Sequence, residues 1–491
     1  MNLIKYSTKL YALIILSVTI ISVAASSVFA GEGEKNRSKS NQTGPWRQVD
    51  KNNLPTGKAA RALPETVPVY RLNQTTLNAI LNKAPLEFTD AARRTEIVLE
   101  IPTPEGNLVR FRIEESPILA PGVAAQFPTW KTFSGQGIDD PMATARFDVN
   151  ALGFHGYVIS ANGTFLIDPY SLTDKKNYVV YYKGDINEGN RENFSCKVRE
   201  PQNINTEFFS LLPPAVFSNG TTLRNFRLAV SATRFYTNFF GGNQTTAFAA
   251  IQTTVNRMNT IYRRELAVTF TLVSDTRSVF TNANDGGFTN NSNTDLDVNQ
   301  TRLNAIYTSP NYDIGHVLSV TPNPDGLATS PSLCDPETKA QGFTGAPTPQ
   351  GDGFDVDYVA HEIGHQFSMS HTYNNDLDGS CGPSGNNPTR SANSAYEPAS
   401  GVTIMGYAGI CAPRNLAANS IEYFNLRSFD QALGYLQTTI PAQYPTCGSA
   451  TATGNTPPQN VNGGGNFNIP KQTPFTLTAS ATDADGDALT Y

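Results

Sequence analysis

The sequence predicts two folding units of different class: a β-rich, antiparallel unit within residues 31–205, and a mixed α/β or α+β unit within 222–448 whose sheet is partly parallel. Two observations predict this division. Between 62 and 182 the apolar residues recur in short runs of period two, such as "EIVLEIP", "NLVRFRIEE", "ATARFDV" and "GFHGYVISANGTFLIDPY", punctuated by Asn-Gly and glycine. That is the pattern of half-buried antiparallel strands. After 222, strand-like runs mix with segments whose apolar residues recur at helical spacing, which calls for helices packed on a sheet.

The chain opens with Lys5 and Lys9, the apolar run "LYALIILSVTIISVAA", and then "VFA" and "GEGEK". A short basic region, an apolar stretch short for a bilayer span and small residues around Ala30 read as a secretory signal peptide over 1–30, cleaved after Ala30. An uncleaved anchor is the alternative. No later segment reads as a membrane span, so none is expected once the signal is removed. Residues 31–60 read as a polar leader, and "KGDINEGNREN" as a solvated linker with Cys196 just beyond it.

In the second unit "FRLAVSA" begins as a strand. "QTTAFAAIQTTVNRMNTIYRREL" carries Ile251, Val255, Met258 and Ile261 at helical spacing and reads as an amphipathic helix. "AVTFTLV" and "YDIGHVLSV" read as strands, separated by the polar loop "TNANDGGFTNNSNTD". "FDVDYVAHEIGHQF" places Val356, Val359, Ile363 and Phe367 at helical intervals, with Asp355 positioned to cap the helix. Residues 449–470 read as a linker, and 471–491 as the beginning of a β-sandwich-like module whose remaining strands would lie in a longer polypeptide. There is no convincing internal repeat.

Charged residues are 16% of the chain, the net charge is −6, and no Lys/Arg block occurs, so nucleic acid is not an expected partner. The cysteines number five, and an odd number in an oxidising compartment leaves one thiol without an intramolecular partner. Cys334, Cys381, Cys411 and Cys447 fall in the second unit, where three pairings are open. Cys196 stands alone upstream.

Three of the five histidines fall within "HEIGHQFSMSH", residues 361–371. On a helix, residues four apart project from nearly the same face, so His361 and His365 can point at one ion, and Glu362 can reach a water beside it. H-E-x-x-H on a helix is the zinc metallopeptidase pattern, and a catalytic zinc needs a third protein ligand and an open fourth position. His371 is the third candidate. An ideal helix would carry it about 9 Å beyond His365 along the axis, so the helix must stop near Phe367 and the chain must turn back.

"HEIGHQFSMSH" resembles the metzincin motif H-E-x-x-H-x-x-G-x-x-H, and "TIMGYAG" resembles the Met-turn of that clan. With "YDIGHVLSV" these stretches resemble the reprolysin-like secreted metallopeptidases over roughly 222–448. The resemblance implies a metzincin-like catalytic domain with a zinc-binding helix and Met-turn, preceded by a β-rich propeptide. By position it implies His361, His365 and His371 as zinc ligands, Glu362 as general base and Met405 as the hydrophobic floor. Tyr407, at Met-x-Tyr spacing, is a further catalytic candidate that would reach the zinc or the substrate oxyanion; a packed tyrosine is the alternative. His316 lies on a strand that resembles the family's substrate-binding edge strand, with a structural role favoured for the histidine itself. The resemblance, with cysteine order, also implies the pairs Cys381–Cys411 and Cys334–Cys447.

Two positions depart from the pattern. Thr372 follows the third histidine where typical reprolysins carry aspartate, and Ser368 stands where the motif has glycine. A left-handed serine costs about 1–2 kcal/mol, against zinc binding on the order of 10 kcal/mol, so a working site is expected.

The lone Cys196 offers latency. A thiolate is an excellent ligand for an open zinc position, and cleavage between 200 and 222 would release it. "FSCKVRE" lacks the longer switch motif of matrix metalloproteinases, and a thiol that is buried or paired with another chain is the alternative. The sequence therefore points to a secreted, extracellular zinc endopeptidase acting on protein or peptide substrates and made as a latent precursor. A secreted adhesion protein with a vestigial zinc site, and a zinc amidase acting on a non-protein polymer, are the alternatives. Asp376, Asp378 and "DADGD" are candidate Ca2+ ligands against a reading as solvated carboxylates, and the C-terminal module is a candidate for surface attachment.

Overall fold

The computed structural model describes residues 44–50, 54, 67–186, 194–199 and 219–489, apart from 376, 386–388, 466, 477 and 487–488. The predicted signal peptide, most of the leader and the predicted cleavage region therefore lie outside the described residues, except for the last few positions of that region. Residues 45–491 form one compact unit.

The upstream unit is a nine-stranded antiparallel sheet. Its strands are β1 (Trp46–Val49), β2 (Val69–Leu72), β3 (Val98–Pro102), β4 (Leu108–Glu115), β5 (Lys131–Gly137), β6 (Thr144–Asn150), β7 (Gly153–Ser160), β8 (Gly163–Ser171) and β9 (Asp174–Tyr182), ordered β1-β2-β9-β8-β7-β6-β5-β4-β3. The alternation read in the sequence places Phe111, Phe133, Phe147, Phe154 and Ile167 in one core on one face. The other face carries Tyr157, Leu166, Val179 and Tyr181 into the core shared with the second unit.

The second unit is built on a mixed sheet. Its strands are β10 (Ser195–Arg199), β11 (Thr222–Ala232), β12 (Val268–Leu272), β13 (Ile314–Ser319), β14 (Asp325–Thr329) and β15 (Gly342–Gly345), in the order β10-β14-β15-β13-β11-β12. Strands β11, β12, β13 and β15 run parallel, β14 is antiparallel to β15, and β10 lies parallel on β14. The partly parallel sheet is as predicted. The position of β13 is not: it lies inside the sheet between β15 and β11, with β10 outermost and β14 next to it, so His316 is not on an edge strand. The segment 449–452, expected in a linker, is a strand that pairs antiparallel with the start of β11. Farther on, Gln459–Asn462 and Ser480–Thr482 form a small antiparallel pair.

The helix Gln244–Leu266 starts at Asn243, whose side chain accepts from the backbone of Thr245 and Thr246, satisfying two of the orphan donors of its first turn. Ile251, Val255, Met258 and Ile261 face the core as their spacing predicts. Its polar face is buried too, because the antiparallel sheet lies over it: Thr253 Oγ1 donates to Asp148 at 2.9 Å, and Asn150 Nδ2 donates to the carbonyl of Ala249 at 3.0 Å. A second helix, Ser292–Tyr307, begins inside the stretch read as a loop. Its inward face includes Asn299 and Gln300, whose amides hydrogen-bond the backbone of Ala340 and Pro336, so no apolar period marks it.

Lys183, expected in a solvated linker, is buried. Its Nζ lies 2.7, 3.1 and 3.2 Å from carboxylate oxygens of Asp352, Asp357 and Glu422. Among the described residues, no helix is long and apolar enough to cross a membrane.

Candidate metal centre

The motif helix is wound in two ways: a wide π-type turn over Gly353–Ala360, then an α-helix over His361–Gln366. Asp355 is not its cap. Its carboxylate is buried and accepts from Thr254 Oγ1 at 2.6 Å and Arg257 Nη1 at 2.9 Å. The helix ends as the sequence requires. Ser368 is left-handed, with φ 74°; its N–H donates to His365 O, and the N–H of Met369 reaches back to Gly364 O. That pair of bonds is the Schellman termination, with serine where glycine is usual. The reversal swings His371 back to the first two histidines.

Cys196 Sγ lies 3.5, 3.4 and 3.3 Å from Nε2 of His361, His365 and His371. His365 Nε2 is 3.2 Å from His361 Nε2 and 3.1 Å from His371 Nε2. All four donor atoms lie within 4.8 Å of one another, and all four residues are buried. The other ring nitrogens meet backbone carbonyls: Nδ1 of His361 at Ile404, of His365 at Met369 and of His371 at Thr389, at 2.6, 2.7 and 2.8 Å. A carbonyl only accepts, so each Nδ1 carries the proton and each Nε2 presents a lone pair inward.

Three lone pairs facing one another at this spacing repel unless a cation lies among them. Zinc–nitrogen bonds of about 2.0–2.1 Å imply a tetrahedral edge of roughly 3.3 Å, and the donor spacings bracket it. The donor set, three neutral imidazoles and a thiol, also suits zinc. The residues fit the ion. Burial holds the histidines neutral, with His361 pushed down to about 4 and His371 to about 3.

Glu362 is buried beside the cluster, and among the described residues no N–H or O–H donates to either of its oxygens. Burial pushes its carboxyl well above the usual range. It packs against Gly326 of β14, where any Cβ would overlap the carboxylate, and Gly326 is the register partner of Cys196. Beneath the helix, a Cβ on Gly364 would come within 2.6 Å of Met405 Sδ, so Met405 packs against the helix between His361 and His365. Tyr407 OH lies 3.2 Å from His371 Nε2, 2.8 Å from Thr389 Oγ1 and 3.4 Å from the carbonyl of Cys196.

Glu397 was not legible as a site residue. Its carboxylate accepts from Thr372 Oγ1 at 2.5 Å and from the N–H groups of Val402 and Thr403 at 2.7 and 3.0 Å. It ties the residue after His371 to the Met-turn, so the chain that departs from aspartate at Thr372 still places a carboxylate there. No spacing signal links position 397 to 371. His316 has a structural place, with Nδ1 on Gln366 Oε1 and Nε2 on Thr344 Oγ1 at 3.1 and 2.8 Å.

The disulfides are Cys381–Cys411 and Cys334–Cys447, and Cys196 is the free thiol. The calcium assignment gains nothing: Asp378 pairs with Arg414 at 2.8 Å, Asp485 accepts from the N–H of Thr456, and Asp376 and Asp487 lie outside the described residues. Among the described residues, the histidine–cysteine cluster is the one group of His, Cys, Asp and Glu that converges as metal ligands do.

A family comparison agrees with this geometry. Residues 222–434 match the reprolysin-like metallo-peptidase family M12B. Metalloproteinase-II from Bacteroides fragilis, a solved structure, aligns with 9% sequence identity and a TM-score of 0.37, covering 73% of this chain and 94% of that one. No curated protein matches the chain. Residues 222–434, which carry the whole histidine triad on a mixed sheet, thus form a reprolysin-like M12B metallopeptidase domain.

Proposed function

We propose that the protein is a secreted zinc endopeptidase held latent by its own upstream unit, with 31–205 as propeptide, 222–448 as catalytic domain, and 449–491 as linker and C-terminal module. The observation that carries this reading is the convergence of three histidine Nε2 atoms and Cys196 Sγ beside the buried carboxylate of Glu362. His361, His365 and His371 would hold the zinc. When bound, the ion supplies a Lewis acid that polarises the scissile carbonyl and acidifies water.

The chain's own residues do the rest. Glu362 takes the proton of the attacking water at its carboxylate and passes it to the leaving amine. Among the described residues no N–H or O–H donates to its oxygens, and the thiol beside it is that of Cys196, which must leave before catalysis. Tyr407, whose hydroxyl sits at the rim of the histidine cluster, is placed to donate to the developing oxyanion once Cys196 withdraws. In the precursor Cys196 would supply a fourth donor, at the position that catalysis requires to be open.

The two disulfides support an oxidising, extracellular setting. Glu362→Ala, which removes no ligand, is expected to keep zinc stoichiometric by atomic absorption and to lose about 10²–10⁴-fold of peptidase activity. Near-normal hydrolysis by that variant would refute the mechanism.

A further inference from the structure

We propose that the pocket filled by Phe194 receives an aromatic side chain of the substrate, next to the bond that is cut; this rests on the peptidase reading above. β10 lies along β14 with Cys196 opposite Gly326. Side chains two apart on an extended chain face the same way, so the residue two before Cys196 is directed at the same floor. That residue is Phe194, fully buried. Its ring stacks on Tyr358, with centroids 4.6 Å apart and planes 19° apart. It stands edge-on to His361 at 6.2 Å and to Tyr407 at 6.3 Å.

The pocket belongs to the catalytic unit. Tyr358 precedes His361 by three positions on the same helical segment, and Tyr407 follows Met405 by two. The wall and the metal ligand are therefore parts of one rigid piece. For any peptide to reach the histidines, 194–199 must leave, and what it vacates is the outer edge of β14 and this aromatic-walled recess.

An extended substrate that adds to the same edge by backbone hydrogen bonds presents alternate side chains to the same places. A ring offered there meets the face of Tyr358 and the edges of two further rings, as Phe194 does, in the offset and edge-on arrangements that aromatic groups favour. A small side chain leaves those faces wet, and a charged one loses its water against them. Phe194 is thus a built-in surrogate for the preferred side chain.

Two measurements test this. The full chain, activated by limited proteolysis, is assayed on peptides that differ only at a residue flanking the scissile bond: phenylalanine, leucine, alanine or glutamate. The phenylalanine peptide is expected to exceed the alanine peptide by about tenfold or more in kcat/KM, and Tyr358→Ala to shrink that ratio several-fold. Independently of turnover, Phe194→Ala in the intact precursor is expected to raise the rate of Cys196 modification by a thiol reagent about tenfold or more, since the anchor beside the thiol is gone. Hydrolysis that ignores the flanking residue would overturn the pocket and leave the peptidase standing. Failure to cut any peptide would sink the peptidase reading and the pocket with it. Unchanged thiol reactivity in Phe194→Ala would overturn the pocket whatever the peptides show.

Discussion

Arg257 Nη2 donates to Asp168 Oδ1 at 2.6 Å, a buried pair that joins the helix of the catalytic unit to strand β8 of the upstream sheet. Burial opposes charge on Arg257, but Asp168 and Asp355 together outweigh it. Because Asp355 lies in the catalytic unit, loss of Asp168 leaves the buried guanidinium half-compensated where the helix meets the upstream sheet. Breaking one side of a buried pair costs about 3–5 kcal/mol. Asp168→Ala is therefore expected to lower the melting temperature of the precursor by several degrees and to speed modification of Cys196. Asp378→Ala, at the exposed pair with Arg414, serves as the control and should change neither, because water and salt screen an ion pair on the surface. A precursor indifferent to Asp168→Ala would show that the upstream sheet is held by other contacts.

Cys196→Ser tests latency directly. The unprocessed wild-type chain is expected to be silent on peptide substrates and to wake with a thiol-modifying mercurial. The serine variant is expected to be active before any cleavage, because a hydroxyl is a much poorer zinc ligand than a thiolate. Equal latency of the two precursors, with no response to the mercurial, would leave Cys196 a bystander.

Ser368 holds φ 74° at the turn that returns His371 to the site. Ser368→Gly removes a left-handed penalty of about 1–2 kcal/mol and should raise the melting temperature by a few degrees while activity is kept. A drop in stability on calorimetry would mean that the serine side chain makes a contact worth more than the strain.

His316 gives a pH dependence of defined sign. Burial pushes it down to about 4 from an ordinary 6.5, and its place between Gln366 and Thr344 suits the neutral ring. The unfolded chain takes up the proton first as pH falls, so the stability tied to this residue is complete above about 6.5 and is lost progressively toward 4, up to about 3 kcal/mol. His316→Gln should flatten the fall in urea-unfolding free energy across that window relative to wild type. Parallel pH curves for the two proteins would count against a neutral, buried His316.

What the sequence by itself determined is local. His361, Glu362 and His365 are placed on one turn by the helical repeat, the break before His371 follows from reach, and the alternation in 62–182 follows from a sheet with two unlike faces. Each of these depends on residues a few positions apart, where backbone geometry alone sets the relation. The helix Ser292–Tyr307 escaped because its inward face is partly amide, and its burial is compensated by carbonyls that only the folded chain brings to it. Asp355 looked like a cap because its position suited one, until Arg257 and Thr254 engaged its carboxylate from another helix. The seating of Cys196 among the histidines, the carboxylate of Glu397 beneath Thr372, the ammonium of Lys183 among three acids and the ring of Phe194 on Tyr358 were decided by the tertiary structure alone. Those partners lie far apart along the chain, and no local period records a contact that exists only after two sheets have closed on one helix and buried the charges between them.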